Sequence, residues 1–312
     1  MKNLVSAPPA PDRARDLSWS RTVPREMVHR TSVAEVLLTD VRGDPAGGFH
    51  AAACWPRSHP TFSADGSGRH SPLLVVETLR QLGIYLPLRW FGMPPTTRML
   101  IDDLYFVLDP DHEPHPVAGC TEVTCAVSIA DPRRRSDGRL TALRLAVSFR
   151  AGGRLFAQAG GGARFLPPER YAAVRGRRLE ARLPASAPDG RPDPAAVGVA
   201  RPGDVVVARR AGALAVEPAD FGHPFYFDHA SDHMPGMVLL EAARQGAAEA
   251  SGGRLLRPVS GVMAASRFTE YDPPARVEAV AHHRTCLFRI RQGGAVTAYG
   301  ALGFARLLRD TP

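Results

Sequence analysis

Two long, mostly apolar segments dominate the pattern of the chain, and each is broken by only a few polar positions. SPLLVVETLRQLGIYLPL at 71–88 and PGMVLLEAARQGAAEA at 235–250 predict helices that start at Ser71 and Pro235, residues suited to a helix's first turn. A helix with so little polar surface is a buried helix. Ahead of each, VAEVLLTDV at 33–41 and DVVVARR at 204–210 read as strands. After the first helix come candidate strands at 103–108, 121–130, 140–150 and 154–166; after the second, at 262–269, 276–282, 285–292 and 295–308. Gly-Gly pairs at 152–153 and 293–294 would close the final hairpins. A central helix followed by an antiparallel meander occurs twice, which is an α+β arrangement with the helix on one face of a curved sheet.

The two halves also share residues at fixed spacing. His59-Pro60 matches His223-Pro224 at an offset of 164, and at the same offset Glu77, Arg80 and Gln81 fall on Glu241, Arg244 and Gln245. Near the end of each half Gly152-Gly153 meets Gly293-Gly294 and Gly162 meets Gly303, now at an offset of 141. The shorter offset means that the second half has lost loop length, notably around DPRRRSDG at 131–138. The expected organisation is a Pro/Ala/Arg-rich arm at 1–20, a first domain at 21–167, a Pro/Arg-rich linker at 168–200 with a short helix near its start, and a second domain at 201–312. Side-by-side pairing of two like halves would make one chain a pseudo-dimer, so a monomer is expected to suffice.

Composition narrows the partners. With 39 Lys and Arg against 31 Asp and Glu in 312 residues, the net charge of +8 favours anionic partners. Gly and Pro number 29 each, too few for a disordered chain when 44% of residues are hydrophobic, so a folded core is expected. The cysteines at 54, 120, 125 and 286 form no Cys-x-x-Cys pair, and no 18-residue apolar run or apolar leader occurs; a soluble cytoplasmic protein with no membrane segment is expected. Arginines at 133–135 and at 175, 177 and 178 read as solvated surface. Aromatic residues do not interleave with them as a stacking platform would require, so nucleic acid is not an expected partner. No GxGxxG or GxxxxGK[ST] stands between a strand and a helix, and no cofactor is expected.

The candidate chemistry lies on the helices and just before the second. Residues three and four apart share a helix face, so Glu77 with Arg80 and Gln81, and Glu241 with Arg244 and Gln245, form matching polar patches on apolar helices. Such a patch is either a core salt bridge or an active-site group. The lead-in FGHPFYFDHASDHMPG at 221–236 adds His223, His229 and His233, with Gly236 and Met237 at the helix start, where free amides can hold an oxyanion or a phosphate. His229 is the candidate general base. In the first half Asp65 and Pro72 stand at the positions of His229 and Gly236, so the halves are not expected to be equivalent. A metal is the rival use of these histidines, but no HExxH occurs and none is expected.

HRTSVAEVLLTDV at 29–41, WPRSHPTF at 55–62, the ETLRQ helix and GHPFYFDHASDHMPGMVLLEAARQ at 222–245 resemble the A-factor biosynthesis family of tandem hot-dog proteins, over about 28–308. The second half is also similar to hydroxyacyl carrier-protein dehydratases: His229 matches their catalytic histidine, Met234-Pro235-Gly236 their helix start and Glu241 their helix acid. Arg244 stands where those enzymes carry a small or apolar residue, and the loop before Met234 is shorter, which argues against dehydration. The resemblance implies a double hot-dog that transfers a β-ketoacyl group from an acyl carrier protein to the hydroxyl of dihydroxyacetone phosphate, on the way to γ-butyrolactone autoregulators. The acyl group arrives on the carrier's phosphopantetheine. Arg244 or Arg80 would bind the phosphate bidentately, and Gln81, Gln245 and His223 would line the substrate site. In related hot-dog dimers a histidine loop faces the helix acid of the other subunit, which implies His229 opposite Glu77, and Glu241 with Arg244 opposite the loop carrying Asp65 and His70. Two working sets follow, His229 with Glu77 or Glu241 with Arg244, the second ranked first. Dehydration, thioester hydrolysis and non-catalytic binding of an acyl chain or lactone are the competing functions.

Overall fold

The computed structural model describes residues 16–62, 68–116, 119–184 and 189–305. They form two compact units, the first ending at Gly176 and the second beginning at Arg177. The first unit contains β1 (Leu38–Gly43), β2 (Phe49–Pro56), α1 (Leu73–Trp90), β3 (Arg98–Leu108), β4 (Cys120–Arg134), β5 (Leu140–Ala151), β6 (Arg154–Leu166) and α2 (Pro168–Arg175). The second contains β7 (Val207–Arg210), β8 (Ala213–Val216), α3 (Gly236–Ala250), β9 (Pro258–Ala265), β10 (Ala275–His282), β11 (Thr285–Gln292) and β12 (Ala295–Phe304).

The strand orders, β1-β2-β4-β5-β6-β3 in the first unit and β7-β8-β10-β11-β12-β9 in the second, are the same topology, antiparallel at every pairing within a unit. In each unit the long helix leaves the second strand and packs on the sheet, burying nearly its whole circumference, as its apolar pattern predicts. The GG turns are superimposable in conformation: φ is +54° and +80° at Gly152 and Gly153, +55° and +81° at Gly293 and Gly294. Two successive positive φ values strongly favour glycine, and the tight turn they form sets the register of both final hairpins.

Several expected boundaries shift for physical reasons. Segment 33–41 is not one strand: Val33–Glu35 is a 3-10 turn capped by the Ser32 hydroxyl, and β1 follows. In the second unit Pro202–Asp204 is likewise a 3-10 turn ahead of β7. Strand β2, with its run of three fully buried alanines, and the four-residue β8 carry no alternation and were not legible as strands. Residues 266–269 leave the sheet after β9, with Ser266 and Arg267 both donating to the Thr297 carbonyl. Strand β4 runs through Asp131-Pro132 to Arg134 by way of a bulge, so only the tip of DPRRRSDG is a turn. The β4–β5 hairpin is the longer one: β10 and β11 are joined through a tight turn at His283.

The stretch expected as a linker is built into the units. Tyr171 of α2 is buried with Arg98 over its ring, and Arg175, expected on the surface, is 4% exposed. Arg178 pairs with Glu270 at 2.7 Å. Residues 193–199 repeat the backbone bonding of 24–30: Met27 N–H to Pro24 and Arg30 N–H to Arg25 in the first unit become Ala196 N–H to Asp193 and Val199 N–H to Pro194 in the second. Val28 and Val197 are both fully buried, and His29 and Gly198 both adopt the left-handed conformation. The second repeat therefore opens before residue 200, at an offset of 169 rather than 164.

Candidate active site

Each long helix carries a glutamine that ties it to the backbone leading into the first strand of its unit. Gln81 Oε1 accepts from Leu37 N–H at 2.9 Å while Nε2 donates to Glu35 O at 2.8 Å and to Glu77 Oε1 at 2.7 Å. Gln245 does the same, with Val206 N–H at 2.9 Å, Asp204 O at 2.9 Å and Glu241 Oε1 at 2.8 Å. A fully buried primary amide satisfied on three sides is a structural clamp, so the substrate-binding role expected of Gln81 and Gln245 has no unused polar edge to rest on.

The histidines of the His-Pro pairs complete the clamp. His223 is 1% exposed; its Nδ1 accepts from Phe225 and Tyr226 N–H at 3.2 Å, which leaves Nε2 to donate to Asp204 Oδ1 at 2.8 Å. His59 accepts at Nδ1 from Thr61 N–H and donates at Nε2 to Glu35. His223 was expected to touch substrate, but both ring nitrogens are spent inside the protein. Its carboxylate partner, and that of His59, escaped sequence reading because the acid changes from Glu35 to Asp204 and sits at the second offset. A signal was present: in each half the acid precedes an apolar triplet, Val36-Leu37-Leu38 or Val205-Val206-Val207.

The helix acids differ between the units. Glu77 is wholly buried and receives two guanidiniums: Arg80 through Nε at 2.8 Å and Nη2 at 3.0 Å, and Arg30 through Nη2 at 2.8 Å. Burial opposes its charge, but Arg30 and Arg80 together overcome that and hold its carboxyl at about 2. A carboxylate so held does not take up a proton at neutral pH, which removes Glu77 as a base. Glu241, 1% exposed, receives Arg244 in a bidentate pair through Nε at 2.9 Å and Nη2. The residue corresponding to Arg30 at the 169 offset is Val199, so no second guanidinium comes from that turn.

Arg244 was expected to grip a phosphate, and Arg80 likewise. Instead Arg244 Nε and Nη2 lie on Glu241 and Nη1 donates to Leu256 O at 2.9 Å, so each of its three nitrogens is engaged. Arg80 spends Nε and Nη2 on Glu77 and on Val28 O. Neither presents a bidentate edge, and both act as internal partners of the helix acids.

The remaining expected groups of the second unit lie on the loop before α3 and at the start of that helix. His229 is exposed on the loop before α3. Helix α3 starts at Gly236, where Val238 and Leu239 N–H turn back to Pro235 O. Among the described residues nothing accepts from Gly236 or Met237 N–H, whereas the first turn of α1 is capped by the Ser71 hydroxyl on Leu73 N–H. His233 pairs with Asp232 at 2.7 Å and packs edge-on against Phe268. Asp65 lies outside the described residues, and His70 is buried on the Thr121 hydroxyl at 2.7 Å. Among the described residues no cluster of three His, Cys, Asp or Glu is arranged to hold a metal, and no helix is long and apolar enough to cross a membrane.

Comparison with known proteins follows the same outline. The A-factor biosynthesis hotdog domain matches residues 12–167 and 189–256. The chain is 36% identical over 259 residues to a 2-oxo-3-(phosphooxy)propyl 3-oxoalkanoate synthase of Streptomyces virginiae, covering 83% of this chain and 87% of the relative. A protein of the same name from Streptomyces coelicolor is 34% identical over 262 residues, covering 82% and 81%. Among solved structures, an acyl-ACP thioesterase from Bacteroides thetaiotaomicron aligns with TM-score 0.52 and 11% identity over 82% of this chain and 98% of that one, a likeness of fold.

Proposed function

Because the chain belongs to the A-factor biosynthesis hotdog family, we propose that it is an acyltransferase that moves a β-ketoacyl group from an acyl carrier protein thioester to the hydroxyl of dihydroxyacetone phosphate. The observation that carries this reading is the identity, along most of the chain, to proteins named for the ester product of that transfer.

In the reaction the acceptor hydroxyl oxygen attacks the thioester carbonyl carbon, forming a C–O bond and a tetrahedral oxyanion. Collapse of the oxyanion breaks the C–S bond, and the hydroxyl proton ends on the departing pantetheine thiol. The second unit supplies the groups for both demands. His229, an exposed imidazole, is the general base of this reading. Gly236 and Met237 N–H at the start of α3 are the donors for the oxyanion, favoured by the positive end of the helix dipole.

The Glu241–Arg244–Gln245 knot holds α3 to its neighbours so that those amides stay fixed. The first unit, with Glu77 neutralised twice and a capped helix start, serves as the structural partner. Two hot-dog units in one chain supply in cis what two subunits supply in a dimer, so the proposed active species is the monomer, working in the cytoplasm without a cofactor of its own.

Offering β-ketoacyl carrier protein with and without dihydroxyacetone phosphate, and weighing the products, tests this. A phosphorylated ester that appears only with the acceptor supports transfer. Free acid released without it makes the chain a thioester hydrolase.

A further inference from the structure

We propose that the hydroxyl of Tyr226 is a catalytic hydrogen-bond donor that contacts the thioester oxygen of the acyl substrate in the second unit. The proposal rests on the acyl-transfer reading and adds a residue to it.

Tyr226 lies three residues after His223, and at the offset of 164 its counterpart is Phe62, three residues after His59. Both rings pack on the imidazole of the clamp in the same way: His59–Phe62 centroids are 4.4 Å apart with planes at 32°, His223–Tyr226 centroids 4.5 Å apart at 39°. Both are buried, Phe62 at 3% and Tyr226 at 4% exposure. The two positions therefore differ by one oxygen atom.

No described group of the fold engages that oxygen. Among the described residues no group hydrogen-bonds the Tyr226 hydroxyl, although its backbone N–H is bonded to His223. The residue is only 4% exposed, yet its hydroxyl is not sealed from solvent, so an incoming group can reach it. The first unit shows that the clamp forms equally well with phenylalanine. A partner that arrives with the substrate accounts for the oxygen in one unit and for its absence in the other.

The surroundings agree. The phenol feels the charges of Glu241, Arg244 and Asp204, the same knot in which the first unit's extra cation, Arg30, is replaced by Val199. Burial first and Glu241 second push its ionisation well above the ordinary value, so it stays protonated and donates rather than accepts a proton at neutral pH. The second unit has thus lost a permanent cation near its acid and gained a neutral donor. A donor of this kind strengthens its bond as negative charge develops on the carbonyl oxygen, with no proton transferred.

The test compares the parent with Tyr226→Phe and Phe62→Tyr, measuring single-turnover transfer from β-ketoacyl carrier protein to dihydroxyacetone phosphate, calorimetric binding of a β-ketoacyl pantetheine thioester, and melting temperature. Tyr226→Phe is expected to melt no lower than the parent and to transfer about 10²–10³-fold more slowly, the usual loss for one oxyanion donor. Phe62→Tyr is expected to transfer at the parent's rate. A Tyr226→Phe rate within twofold of the parent overturns the proposal. Should the parent itself fail to transfer, the acyl-transfer reading falls and the binding isotherms decide: at least tenfold weaker binding in Tyr226→Phe keeps the contact, whereas equal affinities, or no binding by the parent, overturn it.

Discussion

Arg30 Nη2 lies 2.8 Å from Glu77 Oε1, and that contact separates the two units chemically, because the corresponding residue in the second unit is Val199. The strand order, the glutamine clamp, the buried carboxylate–histidine pair and the GG turns are common to both. Against that shared frame, the changes gather around the helix acid: a guanidinium lost, a phenol gained, and a capped helix start exchanged for Pro235-Gly236. On the proposed reading the first unit keeps the structure and the second the chemistry.

Acid stability follows from Glu77. Its carboxyl falls from an ordinary 4.5 to about 2, burial opposing and Arg30 and Arg80 prevailing. A depressed carboxyl contributes stability above its unfolded-state value and loses it as pH falls towards the folded one. The window is therefore roughly pH 4.5 down to 2, and the contribution is roughly 3 kcal/mol. With Arg30→Met one guanidinium remains, so the step becomes smaller and the loss is complete at a higher pH. Unfolding free energies measured by denaturant from pH 7 to 2.5 check this; superimposable parent and variant profiles would contradict it.

The Glu241–Arg244 pair is expected to act as a unit. Arg244→Met alone leaves a buried carboxylate without its guanidinium and should cost about 3–5 kcal/mol. Adding Glu241→Met removes the orphaned charge and should recover much of that loss. Urea titration of the two single variants and the double variant measures the coupling. A phosphate clamp would behave otherwise: Arg244→Met would be nearly neutral in stability and would raise only the acceptor KM.

Gly300 is a close-approach position. A Cβ there would strike Val262 O and come within 2.8 Å of the Phe288 ring. Gly300→Ala is expected to destabilise the second unit by about 1–3 kcal/mol, as overpacking does, seen as a lower urea midpoint at unchanged slope. An unchanged midpoint would mean that the strand pair yields at no cost.

Much of this architecture was legible from spacing. The helices, the meanders, the GG turns and the Glu-Arg-Gln triads all repeat in order, because they are set by local propensity and by side chains on one element. The clamp was not legible as a clamp, since its other half is backbone at 35–38 and 204–206, and backbone leaves no trace in residue type. Expecting Arg80 and Arg244 to be ligand groups placed them on the right helix face but missed that each spends its charge on the glutamate three residues earlier. Tyr226 stood at the known offset from Phe62 and was passed over because an aromatic pair reads as core packing. The opening turn of the second repeat was hidden in a Pro/Arg-rich stretch whose composition resembles a tether.

The claim that the chemistry resides in the second unit is tested most directly by single-turnover transfer of a β-ketoacyl group to dihydroxyacetone phosphate in His229→Ala and Arg30→Met, each rate expressed per folded molecule. The account predicts a loss of about 10²–10⁴-fold for His229→Ala, the range for removing a general base, and a rate within twofold of the parent for Arg30→Met. The reverse order, with His229→Ala active and Arg30→Met impaired, would place the reaction on Glu77 and contradict the account.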